Sequence, residues 1–367
     1  MTSFHFYHFI ALVIMSLIAW SLPKKTQLPA VSLLGNLFVL WFAPYAFVAM
    51  SISACLVYLI SHAKSQKGHW VLLGVGYCIS QFLLLRFLQE HSVDLGLGGS
   101  FSVLGVAYFT CRDVHYLVES YKGNVRKNIV TFWYYQSFLP VMIAGPINRY
   151  HEFEREIQRR SLDFDQISKG IERIIYGYAK VTVLGNYLIE HKIQSYLTQL
   201  PNQESILHSW LVSLADWAYL YAQFSGWSDV AIGFSLCIGI KVSENFNRPL
   251  SSKSLVDFWK RWHISLSSWC KDYVFTPALL ITRNLFIAIS LSMVTMGLWH
   301  ESSLYYIFWG IYHAIGITLC RLYMKQDNEI VEYLRQRFWW SSFTRALTIF
   351  YLINASVFIG LFYDGLY

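Results

Sequence analysis

Three histidines near or within apolar runs could do acid–base chemistry: His263 in "FWKRWHISL", and His300 and His313 in "GLWHESSLYYIFWGIYHAIG". Imidazole titrates near pH 6.5, so a neutral histidine can take a proton from a hydroxyl at ordinary pH. His300 ends an apolar helix expected from Asn284 onward. At 1.5 Å per residue that helix is roughly 24 Å long, short of a hydrocarbon core of about 30 Å. His300 is therefore expected inside the membrane profile, towards its outer face. An ionisable group at that depth needs a partner or a water-filled cavity and marks a functional site. An interfacial histidine at a helix end is the plainer alternative, and spacing does not choose between the two. Glu301 adjoins His300 in sequence, but adjacent residues on a helix do not face each other. His313, in "WGIYHAIG", reads as a polar residue bonded to a neighbouring helix. His263 follows Lys260 by three residues, with an exposed or structural histidine as its alternative reading.

A second polar group lies in "FSGWSDVAIGFSLCIGIKVSENFNRPL", which carries Asp229, Glu244, Asn245, Asn247 and Arg248 beside an apolar run. Such placement suggests a buried hydrogen-bond network or a cavity wall; a set of helix-end caps would look the same. Other chemistries find little support. No HExxH or HxxxH pair is present, and the six cysteines form no CxxC, so no metal site is expected. Ser225 in "FSGWSD" lacks the first glycine of a nucleophile elbow. Gly96, Gly98 and Gly99 in "DLGLGGS" signal a loop rather than a phosphate cradle.

The elements that must position these residues are membrane helices. The chain of 367 residues is 55% hydrophobic and only 14% charged, against about 25% charged in a soluble domain. Its apolar runs approach twenty residues, the length that crosses a bilayer. Ten crossings are predicted, over 4–22, 28–43, 45–62, 69–88, 100–121, 168–189, 207–236, 284–300, 303–323 and 342–363, with Pro44 breaking the second from the third. The basic loops, such as Lys122 to Lys127 and Lys241 to Lys271, all fall on one side of that alternation, which puts both termini outside the cytoplasm. The first run has no charged leader or cleavage site and reads as a retained helix. The net charge of +7 fits cytoplasmic loops, and no basic run suggests nucleic acid.

Two stretches break the pattern. "NIVTFWYYQSFLPVMIAGPINRY" has basic flanks at both ends and two prolines, so a re-entrant segment lining a cavity is expected, with a Pro-kinked helix as the alternative. From Ser251 to Phe275, Leu255, Trp259, Trp262, Leu266, Trp269 and Tyr273 recur at helical spacing, opposite Asp257, Lys260, Arg261 and Lys271. That reads as one amphipathic helix at the cytoplasmic interface.

Taken together, "SVLGVAYFTCRDVHYLVESYKG", "SFLPVMIAGPINRYHEF", the 224–250 block, "DFWKRWHISLSSWCKDYVF" and "MGLWHESSLYYIFWGIYHA" resemble the membrane-bound O-acyltransferase (MBOAT) family. They match its bacterial branch, which serves alginate O-acetylation and the D-alanylation of teichoic acid. The resemblance covers roughly residues 101–315, within what is expected to be a single membrane domain over 1–367. It implies an all-α polytopic membrane protein of about ten transmembrane helices with re-entrant and amphipathic interfacial helices around a central tunnel. It implies a bacterial cytoplasmic (inner) membrane location, an acyl thioester donor such as acetyl-CoA or a carrier-protein thioester, and no permanently bound cofactor. The acceptor would be a hydroxyl of an extracytoplasmic polysaccharide or of an acyltransferase partner protein, with membrane lipids around the chain.

The resemblance gives His300 the role of catalytic base and makes His263 the second histidine of the site, on its cytoplasmic arm. Asp229, Asn245, Asn247, Arg248, Trp259, Lys260, Arg261 and Trp299 are then expected along the substrate path. Lys260, Arg261 and Lys271 would attract a phosphate-bearing donor. Two departures stand out: Glu301 where the family has Gly after the histidine, and Cys270–Lys271 where it has Phe–Arg. An acyl-carrying Cys270 is an alternative nucleophile. A proton-coupled transporter would also use intramembrane His and Asp, but it would often show related halves, and no internal repeat is visible. A scaffold that recruits a soluble transferase is a third class.

Overall fold

The computed structural model describes residues 3–62, 68–90, 105–203, 205–326 and 329–363, and among them it contains helices and loops but no strand. The glycine-rich stretch and the first residues of the fifth predicted crossing lie outside the described residues. In chain order the α-helices are α1 (Ser3–Ser21), α2 (Lys24–Phe42), α3 (Pro44–His62), α4 (Gly68–Glu90), α5 (Val106–Tyr121), α6 (Ile129–Gln136), α7 (Tyr150–Arg159), α8 (Phe164–Tyr178) and α9 (Ser195–Leu197). They continue as α10 (Ile206–Ile238), α11 (Leu255–Phe258), α12 (Ile264–Cys270), α13 (Thr276–Thr282), α14 (Leu285–His300), α15 (Leu304–Met324), α16 (Glu329–Arg335) and α17 (Trp340–Tyr363). A wide-turned π-helical stretch, Ala179–Gln194, joins α8 to α9. Each predicted crossing falls on helix. Five helices among the described residues, α1, α3, α4, α15 and α17, are long and apolar enough to cross a bilayer, and α14 is apolar but shorter. Pro44 does divide α2 from α3.

The chain forms two compact units: Met1–Gly177 with Trp227–Ser243, and Tyr178–Gly226 with Glu244–Tyr367. In the first, the expected re-entrant stretch is an eight-residue α6, a single 3-10 turn over Leu139–Val141 and irregular backbone up to α7. It is not a straight kinked helix. Buried irregular backbone must find hydrogen-bond donors inside the protein. Arg112, 0% exposed, supplies them: its guanidinium donates to the carbonyl oxygens of Tyr135 (3.0 Å), Gln136 (3.1 Å) and Val141 (2.7 Å). Next to it, the Asp113 carboxylate accepts from Ser53 Oγ at 2.6 Å and from the Gln136 side-chain amide. Arg160 does the same work at helix ends, where carbonyls lack partners. It donates to Ile238 O (2.7 Å) and Gln27 Oε1 (2.6 Å) and lies over the Trp20 ring.

In the second unit, the stretch 251–275 is not one amphipathic helix. It is a 3-10 turn, α11, a break at Trp259–His263, α12 and a π-helical turn over Lys271–Phe275. The break is tertiary in origin. The backbone N–H of Asn247 donates to Arg261 O, and that of Ile264 to Asn245 O, both at 2.9 Å. These bonds take up groups that a continuous helix would have kept for itself. The predicted stripe is nevertheless a real face: Leu255, Trp262, Leu266 and Trp269 are buried within the protein.

Candidate active site

The site starts from a helical hairpin. Asn284 opens α14 by accepting the Ile287 backbone N–H on its side chain, and α14 ends where Glu301 turns to extended backbone. Three residues later α15 runs back against it. Two glycines set the spacing. A Cβ at Gly297 would lie 2.2 Å from the Tyr306 carbonyl oxygen, and one at Gly310 would lie 2.7 Å from Val294 Cα. Only hydrogen fits at either position. The close approach stacks the His300 ring on Tyr306, with centroids 5.8 Å apart, and sets it edge-on to Trp309 at 6.0 Å. His300 is half-buried and Glu301 is exposed. The Glu301 backbone N–H donates to Gly297 O, so this residue closes the helix rather than entering the site.

His263 comes from the break before α12. It sits in left-handed backbone, φ 43° and ψ 53°, where a residue with a Cβ is strained by roughly 1–3 kcal/mol. The latch through Asn245 and Asn247 holds it there, reinforced by Ser265 Oγ donating to Asn245 Oδ1 at 2.6 Å. Its side chain is 1% exposed. The ring packs edge-on to Phe224 (4.6 Å) and Trp299 (5.3 Å), and its centroid is 6.2 Å from that of His300. Burial holds the imidazole well below its ordinary pKa, and the nearby His300 acts in the same direction. Nε2 is buried with no hydrogen-bond partner among the described residues. An orphaned polar atom on a strained, latched residue is an arrangement kept for a ligand more readily than for stability.

This geometry corrects one expectation. His263 and His300 were expected towards opposite faces of the membrane, yet rings 6.2 Å apart cannot stand at opposite ends of a core about 30 Å thick. The fold brings the two histidines side by side. His313, buried on α15, extends the pair: its ring meets Trp309 at 4.5 Å and Trp259 at 5.3 Å.

A cavity of about 310 Å3 opens beside this cluster, lined by Trp259, Lys260, Lys271, Met293, Met296 and Arg321 among others. Three cations and no carboxylate face it among the described residues. Trp259 Nε1 and Arg321 Nε are buried without hydrogen-bond partners among the described residues. The electrostatics favour an anionic group and the apolar wall a chain or ring, which suits phosphate joined to an aliphatic arm.

The remaining candidates divide. Trp299 touches both histidines, and Trp259 and Lys260 line the cavity. Asn245 and Asn247 act through the latch. Arg261, expected to face the donor, instead pairs with Asp257 at 2.8 Å, one turn away. Arg248 is exposed in left-handed backbone ahead of a 3-10 turn. Asp229 belongs to the first unit, where its carboxylate pairs with Arg173 at 2.8 Å. Tyr306, Trp309 and Arg321 were missed as site residues. A signal existed for two of them: Trp309, His313, Ile317 and Arg321 recur every four residues along one face of α15.

The membrane-bound O-acyltransferase family matches residues 123–362. A probable alginate O-acetylase of Pseudomonas fluorescens is 32% identical over 225 residues, 59% of this chain and 44% of that protein. A teichoic acid D-alanyltransferase of Bacillus subtilis is 32% identical over 256 residues, 65% of this chain and 63% of its own length. A peptidoglycan O-acetyltransferase of Helicobacter pylori is 27% identical over 60% of this chain and 47% of its own. The chain thus spans less than half the length of the first and third of these relatives.

Proposed function

The chain belongs to the membrane-bound O-acyltransferase family, and from that premise we propose that it transfers an acyl group, acetyl first, from a thioester donor to a hydroxyl of the bacterial envelope. The observation that carries the reading is the convergence of His263 and His300 at 6.2 Å beside a cation-lined cavity. Phosphates of the donor, acetyl-CoA or a carrier-protein thioester, pair with Lys260, Lys271 and Arg321. The thioester carbonyl oxygen accepts a hydrogen bond from His263 Nε2, which has no other partner among the described residues. Neutral His300 takes the proton of the acceptor hydroxyl as its oxygen attacks the carbonyl carbon. The tetrahedral intermediate collapses, the C–S bond breaks, and the leaving thiolate takes the proton from His300. The products are an ester and a free thiol. His313 and Trp309 keep the rings in place.

The reading includes about ten crossings of the cytoplasmic membrane around a tunnel, so that donor and acceptor reach the site from opposite sides. The acceptor is a polysaccharide hydroxyl, or the hydroxyl of a partner protein that passes the group on. D-alanyl transfer from a carrier-protein thioester is the second reading. It is favoured by the resemblance to the Bacillus subtilis teichoic acid D-alanyltransferase. Mass spectrometry of envelope glycans from cells with and without the chain tests both. Loss of acetyl esters supports the first and loss of alanyl esters the second; unchanged glycan acylation refutes both.

A further inference from the structure

A second cavity lies between α15 and α17, lined by neither His263 nor His300, and measures about 740 Å3. Its shape follows from how the two helices meet. Tyr312 Oη donates to Tyr351 O at 2.9 Å and Tyr351 Oη to Tyr312 O at 2.6 Å, a reciprocal clamp. One turn on, Gly316 lets Tyr351 Oη come within 2.4 Å of where a Cβ would sit. Past the clamp, Leu319, Tyr323 and Met324 of α15 stand across the cavity from Trp340, Phe343 and Leu347 of α17.

Both helices are long and apolar enough to cross a bilayer. Leu319, Met324, Phe343 and Leu347, which line the groove, are exposed apolar side chains, so in a bilayer it opens to hydrocarbon and water fills it unfavourably. Its occupant comes from the bilayer. The mouth is polar: Lys253, Ser254, Ser341 and Thr344 line it, and Lys253 is the one charged lining residue among those described. The nearest carboxylate of its own segment, Asp257, is taken by the Lys253 backbone N–H and by Arg261. Among the described residues the Lys253 ammonium therefore makes no ion pair with Asp257 and can meet an external anion. The basic residues Arg321 and Lys325 at this end of α15 assign it to the cytoplasmic side, where the leaflet surface is anionic.

We propose that this groove is a binding site for an anionic glycerophospholipid of the cytoplasmic leaflet, its acyl chains between α15 and α17 and its phosphate at Lys253. The site is separate from acyl transfer and stands whatever the acyl donor is. It is tested with the full chain in nanodiscs holding equal parts of phosphatidylglycerol and phosphatidylcholine, ejected into a native mass spectrometer. One lysine near the membrane surface corresponds to a preference of about fivefold for the anionic lipid. Retained phosphatidylglycerol is expected to exceed phosphatidylcholine by that factor. Lys253→Gln should equalise the two, and Leu347→Trp, which fills the groove, should release both at an unchanged melting temperature. Equal retention by the unaltered chain, retention of neither lipid, or a preference that survives Lys253→Gln overturns the proposal.

Discussion

Replacing Gly297 by alanine should disable the site without touching a histidine. The added methyl would lie 2.2 Å from the Tyr306 carbonyl oxygen, where ordinary contact begins at 3.4 Å. The obstacle is backbone, so it cannot swing aside. α14 and α15 must part by about 1 Å at the level where His300 stacks on Tyr306, and a misplacement of about 1 Å costs on the order of 100-fold in rate. The overpacking itself should destabilise the chain by about 1–3 kcal/mol. The assay is transfer of radiolabelled acetyl from acetyl-CoA to an envelope glycan in proteoliposomes, with a thermal melt on the same preparation. The loss should fall mainly on kcat, because the cation-lined cavity is left in place. Gly76→Ala is the control: nothing lies within 4 Å of that position, so it should keep both rate and melting temperature. Wild-type turnover and melting temperature for Gly297→Ala would refute the claim that this close approach positions His300.

Three further outcomes are expected. His263 is held well below its ordinary pKa, so the unfolded chain binds a proton that the folded chain refuses once pH falls below about 6.5. Stability should fall as pH drops from there, by up to about 1.4 kcal/mol per pH unit from this group. Melts of His263→Gln between pH 7 and 5 should show a shallower fall than the unaltered chain; an identical slope would contradict it. Lys271→Glu places a carboxylate in the cavity and should raise the KM for acetyl-CoA at least tenfold, with the difference shrinking as salt screens it. A KM unmoved in low salt would remove the cavity from donor binding. Ser265→Ala removes the buried Ser265 hydrogen bond to Asn245 Oδ1 and should cost about 1–3 kcal/mol of stability in denaturation melts, while Ser268→Ala, at a half-buried backbone contact, should cost less.

Much of this was legible in the chain itself, because apolar runs of membrane length leave few alternatives. The helices end close to where Pro44, Asn284 and the basic loops placed them. The stripe of Leu255, Trp262, Leu266 and Trp269 was legible as a buried face, though not as one helix. Spacing reports which side chains share a surface; it does not report the pairing of Ile264 with Asn245 that breaks the backbone at His263. The same limit explains Arg261 and Asp229. Each reads as a charge near the site, and each is taken by a partner, four residues away for Arg261 and fifty-six for Asp229. Depth failed for a similar reason. Loop charges give sidedness only at helix ends, and His263 lies in a segment that folds back until its ring meets Trp299 and His300.

The proposed role of His300 is to take the proton from the acceptor hydroxyl within a two-histidine site. It is tested most directly by single-turnover acyl transfer in proteoliposomes, with donor binding measured on the same samples. His300→Ala should bind acetyl-CoA as the unaltered chain does, because the cationic cavity remains, while transfer falls by about 100- to 10,000-fold, the range for a lost general base. Transfer at the unaltered rate by His300→Ala would contradict the account.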